Sequence, residues 1–185
     1  MPQANRNRTF QTLYDNNIGN NIMIAGDSHA NWVSDLVWLD HHPYDPRTGK
    51  GSIGVEFAGT AISSPSPAGQ TINITASRVA SNWLVTANRE LQWSEIYYRG
   101  YFELHITKKA VNAHYFGMPN ILDRNPNEIP LANFTVQSGE NRLQRFGGTV
   151  VKSPAENGYV KFGTVKQTKL TNRTDVPGGS WFVSD

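Results

Sequence analysis

The chain has 185 residues, of which 38% are hydrophobic and 17% are charged, and it carries a net charge of +2. Aromatic residues are too frequent for a disordered chain, charges are too few for a coiled coil, and the basic residues form no nucleic-acid-binding patch. The absence of cysteine excludes disulfides, thiolate metal ligands and a cysteine nucleophile. We therefore expect one globular domain rich in strands and loops.

The first predicted element is a helix over residues 6–16, where apolar residues recur at the spacing of one helical face. A turn cluster follows, and residues 21–25 then predict a short buried strand that leads directly into the polar sequence Gly26-Asp27-Ser28-His29. Polar loops that follow apolar strands commonly carry chemistry. This loop is therefore the first place to look for a site.

Most of the remaining chain predicts strands. The clearest pattern is the alternation of apolar and polar residues over 95–106 and 110–118, which predicts a β-hairpin. The other predicted elements are strands at 31–39, 53–57 and 131–136, a helix at 77–88, and short β-like pieces at 148–152, 159–170 and 180–184.

No stretch approaches about 18 consecutive apolar residues, so we expect no membrane span. The N-terminal sequence has basic residues without an apolar region behind them, which predicts no secretory signal. We interpret this as a cytoplasmic protein or as a segment cut from a longer one.

Asp27 and His29 are the strongest candidates for site residues. Gly26 is expected to permit a sharp exit from the strand, after which a carboxylate and an imidazole lie two residues apart. That pair can converge on metal ions, as in dinuclear phosphoesterases. The alternative is an ordinary loop, in which Asp27 caps a turn and His29 bonds to the backbone.

Ser28 offers a different chemistry, because a strand followed by Gly-Asp-Ser also opens a class of serine esterases. Those enzymes need a base and an orienting acid from a later Asp-x-x-His sequence. No aspartate in this chain has a histidine three positions later. A serine esterase therefore remains a weaker alternative.

Three other groups of residues are candidates for a site. Asp40-His41-His42 is similar to the triplet of a manganese phosphoesterase class, but the Asp-x-Asp cluster of that class is missing, so we interpret both histidines as solvent-facing. Glu56 is predicted on the solvent face of an alternating strand. Arg99, between aromatic residues, is expected to stack and pair locally rather than contact a substrate phosphate.

Several motifs occur in an order that resembles the C-terminal part of the alkaline phosphatase D (PhoD-like) family of metallophosphoesterases, with sequence similar to fungal members. The resemblance covers about residues 5–143. The motifs are Gly26-Asp27-Ser28-His29-Ala30-Asn31-Trp32, Asp35-Leu36, Gly54-Val55-Glu56-Phe57-Ala58-Gly59-Thr60, Ser63-Ser64-Pro65 and Arg99-Gly100-Tyr101-Phe102.

The resemblance implies an α+β, mainly β fold that forms the C-terminal part of a four-layer αββα sandwich. Residues 1–143 would be the C-terminal portion of the phosphatase domain, and residues 144–185 a β-rich extension. The implied activity is hydrolysis of phosphate monoesters or diesters by a metal-activated hydroxide, using iron(III) and calcium. Asp27 would bind calcium and His29 would bind iron, and both would thereby serve catalysis. The family is extracytoplasmic.

The other metal-ligand motifs of the family are missing from this sequence. We therefore expect a segment that is inactive without an N-terminal half, or alternatively a non-catalytic truncated or binding module. A sheet without its partner would expose Trp32, Trp38 and Phe57, which predicts self-association of the chain.

Overall fold

The computed structural model describes residues 3–69, 72–122, 124, 126–145, 158–161, 169–173 and 180–184. The described residues form helices and strands in the order α1 (Gln3–Asp15), β1 (Ile22–Ala25), β2 (Asn31–Leu36), β3 (Gly54–Ala58), α2 (Ile74–Ala87), β4 (Leu91–Glu95), β5 (Arg99–Ile106), β6 (Ala110–Met118), β7 (Ile129–Gln137), β8 (Tyr159–Val160), β9 (Lys169–Arg173) and β10 (Ser180–Ser184).

The strands form three sheets. The largest has five strands in the order β1-β3-β2-β4-β8, in which β1 and β3 are parallel and the other pairs are antiparallel. The second is the antiparallel sheet β5-β6-β7, and the third pairs β9 with β10. Strand β8 lies beyond the predicted domain boundary at residue 143 and pairs with β4 of the five-stranded sheet.

The core lies where side chains of the five-stranded sheet meet those of β6 and β7. On β3, Val55 and Phe57 are fully buried, while Glu56 between them is half-buried on the opposite face. The ring of Trp93 lies 4.9 Å from that of Tyr115 and so joins β4 to β6. Burying each large apolar side chain contributes roughly 1.5–3 kcal/mol, so this seam holds the two sheets together.

Helix α1 packs through Phe10 against Leu36 and Ile53, at the end of β2 away from the Gly26–His29 loop. Helix α2 is capped at its start by Asn73, whose side chain accepts a hydrogen bond from the backbone nitrogen of Ala76. Its buried positions are Ser77, Ser81 and Val85, and it packs against β4 and β8. The small serine side chains allow this helix to approach the sheet closely.

The predicted fold class is confirmed: the protein is mainly β, with two packed sheets and two helices among the described residues. Both predicted helices are present, and the hairpin is formed by β5 and β6. The predicted piece at 148–152 lies outside the described residues. Within the described residues, no helix is long and apolar enough to cross a membrane.

The predicted strand at 95–106 is wrong at its start. Glu95 is instead the last residue of β4, and the chain turns before β5 begins at Arg99. The Glu95 carboxylate accepts hydrogen bonds from the backbone nitrogens of Tyr97 at 2.6 Å and Tyr98 at 3.1 Å, and these bonds close the turn. Alternation of residue types continues through this turn, so the pattern alone does not reveal it.

The reason given for self-association is also wrong. Phe57 is fully buried between the sheets, and Trp32 and Trp38 are half-buried. The large exposed apolar side chains lie elsewhere, including Ile24 on β1 and Trp83 on α2, each 65% exposed.

Candidate functional site

One edge of the five-stranded sheet gathers the sequence-predicted site. Because β1 and β3 are parallel, their carboxyl ends meet at this edge, and the loops 26–30 and 59–69 follow them. Strands β2 and β4 are antiparallel to each other. Asn31 at the start of β2 therefore lies opposite Glu95 at the end of β4. The carboxyl ends of parallel strands are a common place for ligand sites.

The loop after β1 has an unusual backbone. Asp27 and His29 both have positive φ angles, 67° and 56°, in the left-handed region that few non-glycine residues adopt. Each such residue costs on the order of 1–3 kcal/mol and persists only where its surroundings hold it. Gly26 has no positive φ, and a Cβ atom there would meet nothing within 4 Å. The expectation that Gly26 supplies the sharp turn is therefore wrong.

The ring of His29 has a fixed hydrogen bond. Its Nδ1 lies 2.9 Å from the carbonyl oxygen of Pro65, and since a carbonyl only accepts, Nδ1 must carry the proton. The lone pair is then on Nε2, which is the nitrogen available to a metal ion. Asp27 is exposed on the same loop, so the loop offers one carboxylate and one imidazole as ligands.

Arg99 is buried and donates to four backbone carbonyl groups around this loop. Its Nη1 reaches the carbonyl oxygens of His29 at 2.9 Å and Ser64 at 3.1 Å. Its Nη2 reaches those of Ile96 at 3.1 Å and Tyr97 at 3.3 Å. The expected local pairing of Arg99 is confirmed, but with backbone oxygens in place of aromatic rings.

Glu95 and Asn31 face each other across β4 and β2 at the same end of the sheet. Besides the turn nitrogens, the Glu95 carboxylate accepts a long hydrogen bond of 3.4 Å from the Asn31 side chain, whose oxygen accepts from the backbone of Thr60 at 3.0 Å. Burial raises the pKa of Glu95 to about 7, although these hydrogen bonds and the charge of Arg99 act in the opposite direction. Glu95 is therefore a buried acid that titrates near neutral pH.

Two ligands make only part of a metal centre. Among the residues that the structure describes, no group of three or more histidine, aspartate or glutamate side chains lies close enough together to hold a metal ion. A carboxylate and an imidazole nevertheless fit the donor preferences of calcium and iron. The loop therefore offers part of a ligand set for a metal ion.

Residues 2–115 match the family described as PhoD-like phosphatase. The chain belongs to this family. It is 26% identical over 149 residues to alkaline phosphatase D of Bacillus subtilis (strain 168), an alignment that covers 80% of this chain and 24% of that protein. A solved structure titled "Structure of PhoD" shares the fold with a TM-score of 0.57 and 23% identity, over 81% of this chain and 26% of the other. The chain thus spans about a quarter of the length of these relatives.

Two other predicted candidates, Ser28 and Glu56, add no ligand atom to those of Asp27 and His29. The Ser28 hydroxyl donates to the carbonyl oxygen of Ala30 at 3.0 Å and so serves the loop turn. Glu56 is half-buried, and burial raises its pKa. The predicted solvent-facing position is therefore only partly met.

The histidines of the Asp40-His41-His42 triplet stack on aromatic rings. His41 is exposed, as expected, and lies 4.0 Å from the ring of Trp38. His42 is half-buried and stacks on Tyr14 at 3.6 Å, so the expectation that it faces solvent is only partly met. These residues attach α1 to the loop after β2 and lie apart from the Asp27 loop.

A cavity of about 650 Å³ opens beside the residues that hold His29. Pro65 and Arg99, which hold His29, form part of its wall, together with aromatic and apolar side chains such as Tyr97, Tyr98 and Leu122. The hydroxyl of Tyr98 is buried without a hydrogen-bond partner, and burial raises its pKa. A cavity of this size and lining suits a small organic group.

Sequence reasoning missed the partners that hold the ligand loop. Pro65 acts through its carbonyl oxygen, which any residue would provide, so its identity carries no signal. Glu95 follows the alternation of a strand and resembles an ordinary strand residue. Arg99 does carry a signal, since an arginine inside a run of aromatic residues needs a partner, but the sequence does not show that the partners are carbonyl groups.

Proposed function

We propose that this chain contributes Asp27 and His29 as ligands to the metal centre of a PhoD-like phosphoric ester hydrolase. The observation that carries the proposal is the His29–Pro65 hydrogen bond of 2.9 Å, which leaves Nε2 available to a metal ion. Membership of the family supports the reaction class. The positive φ angles of both residues support it further, because backbone strain concentrates at functional sites.

We propose iron(III) and calcium as the metals, with Asp27 toward calcium and His29 toward iron. When bound, such a pair supplies Lewis acidity that activates water and neutralises charge on the phosphoryl group. This chain's own residues supply the ligand atoms and hold them: Pro65 fixes the proton of His29 on Nδ1, and Arg99 holds the His29 carbonyl. Ser28 has no role in this scheme.

We propose that the substrate is a phosphate monoester or diester whose organic part occupies the cavity beside Pro65. The lining by Tyr97, Tyr98 and Leu122 favours an aromatic or apolar group over a sugar or glycerol. In the active assembly, p-nitrophenyl phosphate should therefore show a kcat/KM at least tenfold above that of glycerol phosphate after correction for leaving-group pKa. Equal corrected values would contradict this assignment of the cavity.

The central test uses the chain alone and the chain mixed with a fragment that carries the rest of alkaline phosphatase D. We expect hydrolysis of p-nitrophenyl phosphate and bound iron only in the mixture. Asp27→Asn and His29→Gln should each lower the activity at least a hundredfold. Asp40→Asn is the matched control, because Asp40 is an exposed aspartate with a positive φ of 71° outside the loop. Activity that survives loss of both ligands would rule the proposal out.

A non-catalytic truncated or binding module is the second proposal. It is favoured by the finding that, among the described residues, no group of three or more histidine, aspartate or glutamate side chains could hold a metal ion. It predicts that the mixture retains no metal and hydrolyses no phosphate ester. Stoichiometric iron in the purified chain would contradict it.

We also propose that the isolated chain self-associates through β1. In the described part of the chain, β1 pairs with β3 alone, so its other side is an open strand edge. Met23 and the 65% exposed Ile24 lie on this strand. Ile24→Lys should convert oligomers to monomers in sedimentation, whereas Trp83→Lys on α2 should not. A monodisperse wild-type monomer would contradict the proposal.

We propose that the parent protein acts outside the cytoplasm, as its resemblance to the family implies. Fractionation of cells that express the parent protein, with an antibody against this chain, tests it directly.

A further inference from the structure

The hydrogen bonds of Arg99 connect the two supports of His29. The ring of His29 is held by the carbonyl oxygen of Pro65, and its backbone is held by the guanidinium of Arg99. The same Nη1 also donates to the carbonyl oxygen of Ser64, the residue directly before Pro65. One nitrogen atom therefore fixes the backbone of the histidine and the segment that orients its ring.

This connection matters because the His29 backbone is in the left-handed region, with φ at 56°. A non-glycine residue stays in that region only when neighbouring groups hold it there. Among the residues described, the carbonyl oxygen of His29 has Arg99 as its side-chain donor. Losing that bond would free the histidine to return to an ordinary backbone conformation and to turn its ring.

The chemistry of this position requires an arginine. The two terminal nitrogens of a planar guanidinium reach four carbonyl oxygens at 2.9–3.3 Å. A lysine ammonium is a compact group that cannot span the loop carbonyls and the turn carbonyls of Ile96 and Tyr97 together. Arg99→Lys thus keeps the positive charge and removes the planar pair of nitrogens that reaches all four carbonyl oxygens.

Glu95 supports Arg99 from the turn between β4 and β5. Carbonyl groups alone are weak compensation for a buried cation, and the coulombic attraction of Glu95 favours the charged form of Arg99. Glu95 is buried and fixed by the backbone nitrogens of Tyr97 and Tyr98. These bonds close the turn whose Ile96 and Tyr97 carbonyl oxygens accept from Arg99. Glu95 therefore supports Arg99 through the turn, and Arg99 supports His29.

We infer that Arg99 is a positioning residue that fixes the tautomer and direction of the His29 imidazole, and that Glu95 fixes the turn to which Arg99 binds. The inference rests on the proposed function only in naming a metal as what His29 faces. Arg99 itself contacts neither metal nor phosphate in this scheme, and its effect passes through the His29 carbonyl and the Ser64-Pro65 segment.

The test reads the His29 ring directly and needs no metal. Nitrogen-15 NMR of the histidine side chains, at a pH where the ring is neutral, should show His29 protonated on Nδ1 in the wild-type chain. In Arg99→Lys, a substantial Nε2-protonated population should appear. Arg89→Lys is the matched control, because Arg89 also donates to a backbone carbonyl, that of Tyr44 at 2.9 Å, away from the loop.

Glu95→Gln is the second variant, since it keeps a carbonyl acceptor for the turn and removes the charge; it should give the same change to a smaller extent. A folded Arg99→Lys with the wild-type tautomer overturns the inference. Unfolding of both variants also overturns it, because Arg99 would then be a structural residue only.

The metal readout separates this inference from the proposed function. In the mixture with the alkaline phosphatase D fragment, Arg99→Lys should weaken iron binding about 10–100-fold, the usual effect of removing a group that orients a ligand. A tautomer change in a mixture that binds no iron even as wild type supports the positioning role and contradicts the metal centre. Unchanged iron affinity in a mixture that does bind iron overturns the positioning role.

Discussion

Asp35 and Arg145 form an ion pair inside the protein, although 110 residues separate them in the chain. Both side chains are almost completely buried. The Asp35 carboxylate also accepts hydrogen bonds from the hydroxyl of Tyr44 at 2.8 Å and from the backbone nitrogen of Leu143 at 3.2 Å. Burial raises the pKa of Asp35, while Arg145 and these hydrogen bonds oppose that change. The pair anchors the segment after β7 to strand β2.

Removing one member of this pair should strongly destabilise the fold. In Arg145→Met, the Asp35 carboxylate would be left buried without its partner, and breaking a buried pair in this way costs about 3–5 kcal/mol. Urea unfolding measures the change in free energy. Arg142→Met is the matched control, because the Arg142–Glu140 pair is solvent-exposed and such pairs contribute at most about 1 kcal/mol.

The double variant Asp35→Leu with Arg145→Met separates the pair from the packing around it. Because it leaves no unpaired charge, it should regain part of the stability lost by either single variant, the remainder reflecting the Tyr44 hydroxyl and Leu143 nitrogen that lose their acceptor. Additive losses would show instead that the two residues act independently, which contradicts the anchoring role.

Glu95 should make the stability of the protein depend on pH. The folded carboxyl has a pKa of about 7 and the unfolded one its ordinary value of 4.5, so the folded state binds more protons between these two values. The free energy of unfolding should therefore fall as the pH rises from about 4.5 to about 7 and level off above it. The full difference is about 3 kcal/mol at 1.36 kcal/mol for each pKa unit.

Glu95→Gln should remove this part of the pH dependence, because glutamine does not titrate. The difference between the wild-type and Glu95→Gln unfolding curves across pH 4–8 is the decisive measurement. Glu103→Gln, at an exposed position on β5, should leave the wild-type dependence unchanged. A Glu95→Gln curve parallel to that of the wild type would mean that burial does not raise the pKa of Glu95 in solution.

Much of this fold is accessible from sequence because its signals are local. Alternation over 110–118 predicts β6, and the apolar residues of 53–57 predict β3, whose Phe57 is fully buried. The turn at Glu95 is not accessible, because a buried carboxylate that caps backbone nitrogens is indistinguishable in sequence from an exposed strand residue. The same holds for the site: Asp27 and His29 stand out by spacing, whereas Arg99 acts through a carbonyl 70 residues away.

The buried seam between the sheets predicts a large effect at Phe57. Phe57→Ala should leave a cavity between β3 and the β6–β7 sheet and cost about 3–5 kcal/mol in urea unfolding. Trp83→Ala removes a larger side chain, but Trp83 is 65% exposed on α2, so the loss should stay below about 1 kcal/mol. A comparable loss at both positions would contradict the two-sheet packing.

Two glycines of the PhoD-like motifs should respond oppositely to alanine. A Cβ atom at Gly100 would overlap the carbonyl oxygen of Phe116 and lie 3.0 Å from the Cα of Gly117, its partner on β6. Backbone atoms cannot yield as side chains do, so Gly100→Ala should force β5 and β6 apart and cost about 3 kcal/mol or more.

At Gly26 an added Cβ atom would meet nothing within 4 Å, and the φ of this residue is not positive. Gly26→Ala should therefore leave stability unchanged or raise it by up to about 1 kcal/mol, because alanine restricts the unfolded chain. Thermal and urea unfolding of the two variants side by side provide the comparison. A large loss at Gly26 would mean that this residue does adopt a conformation open only to glycine, and that the loop of Asp27 and His29 depends on it.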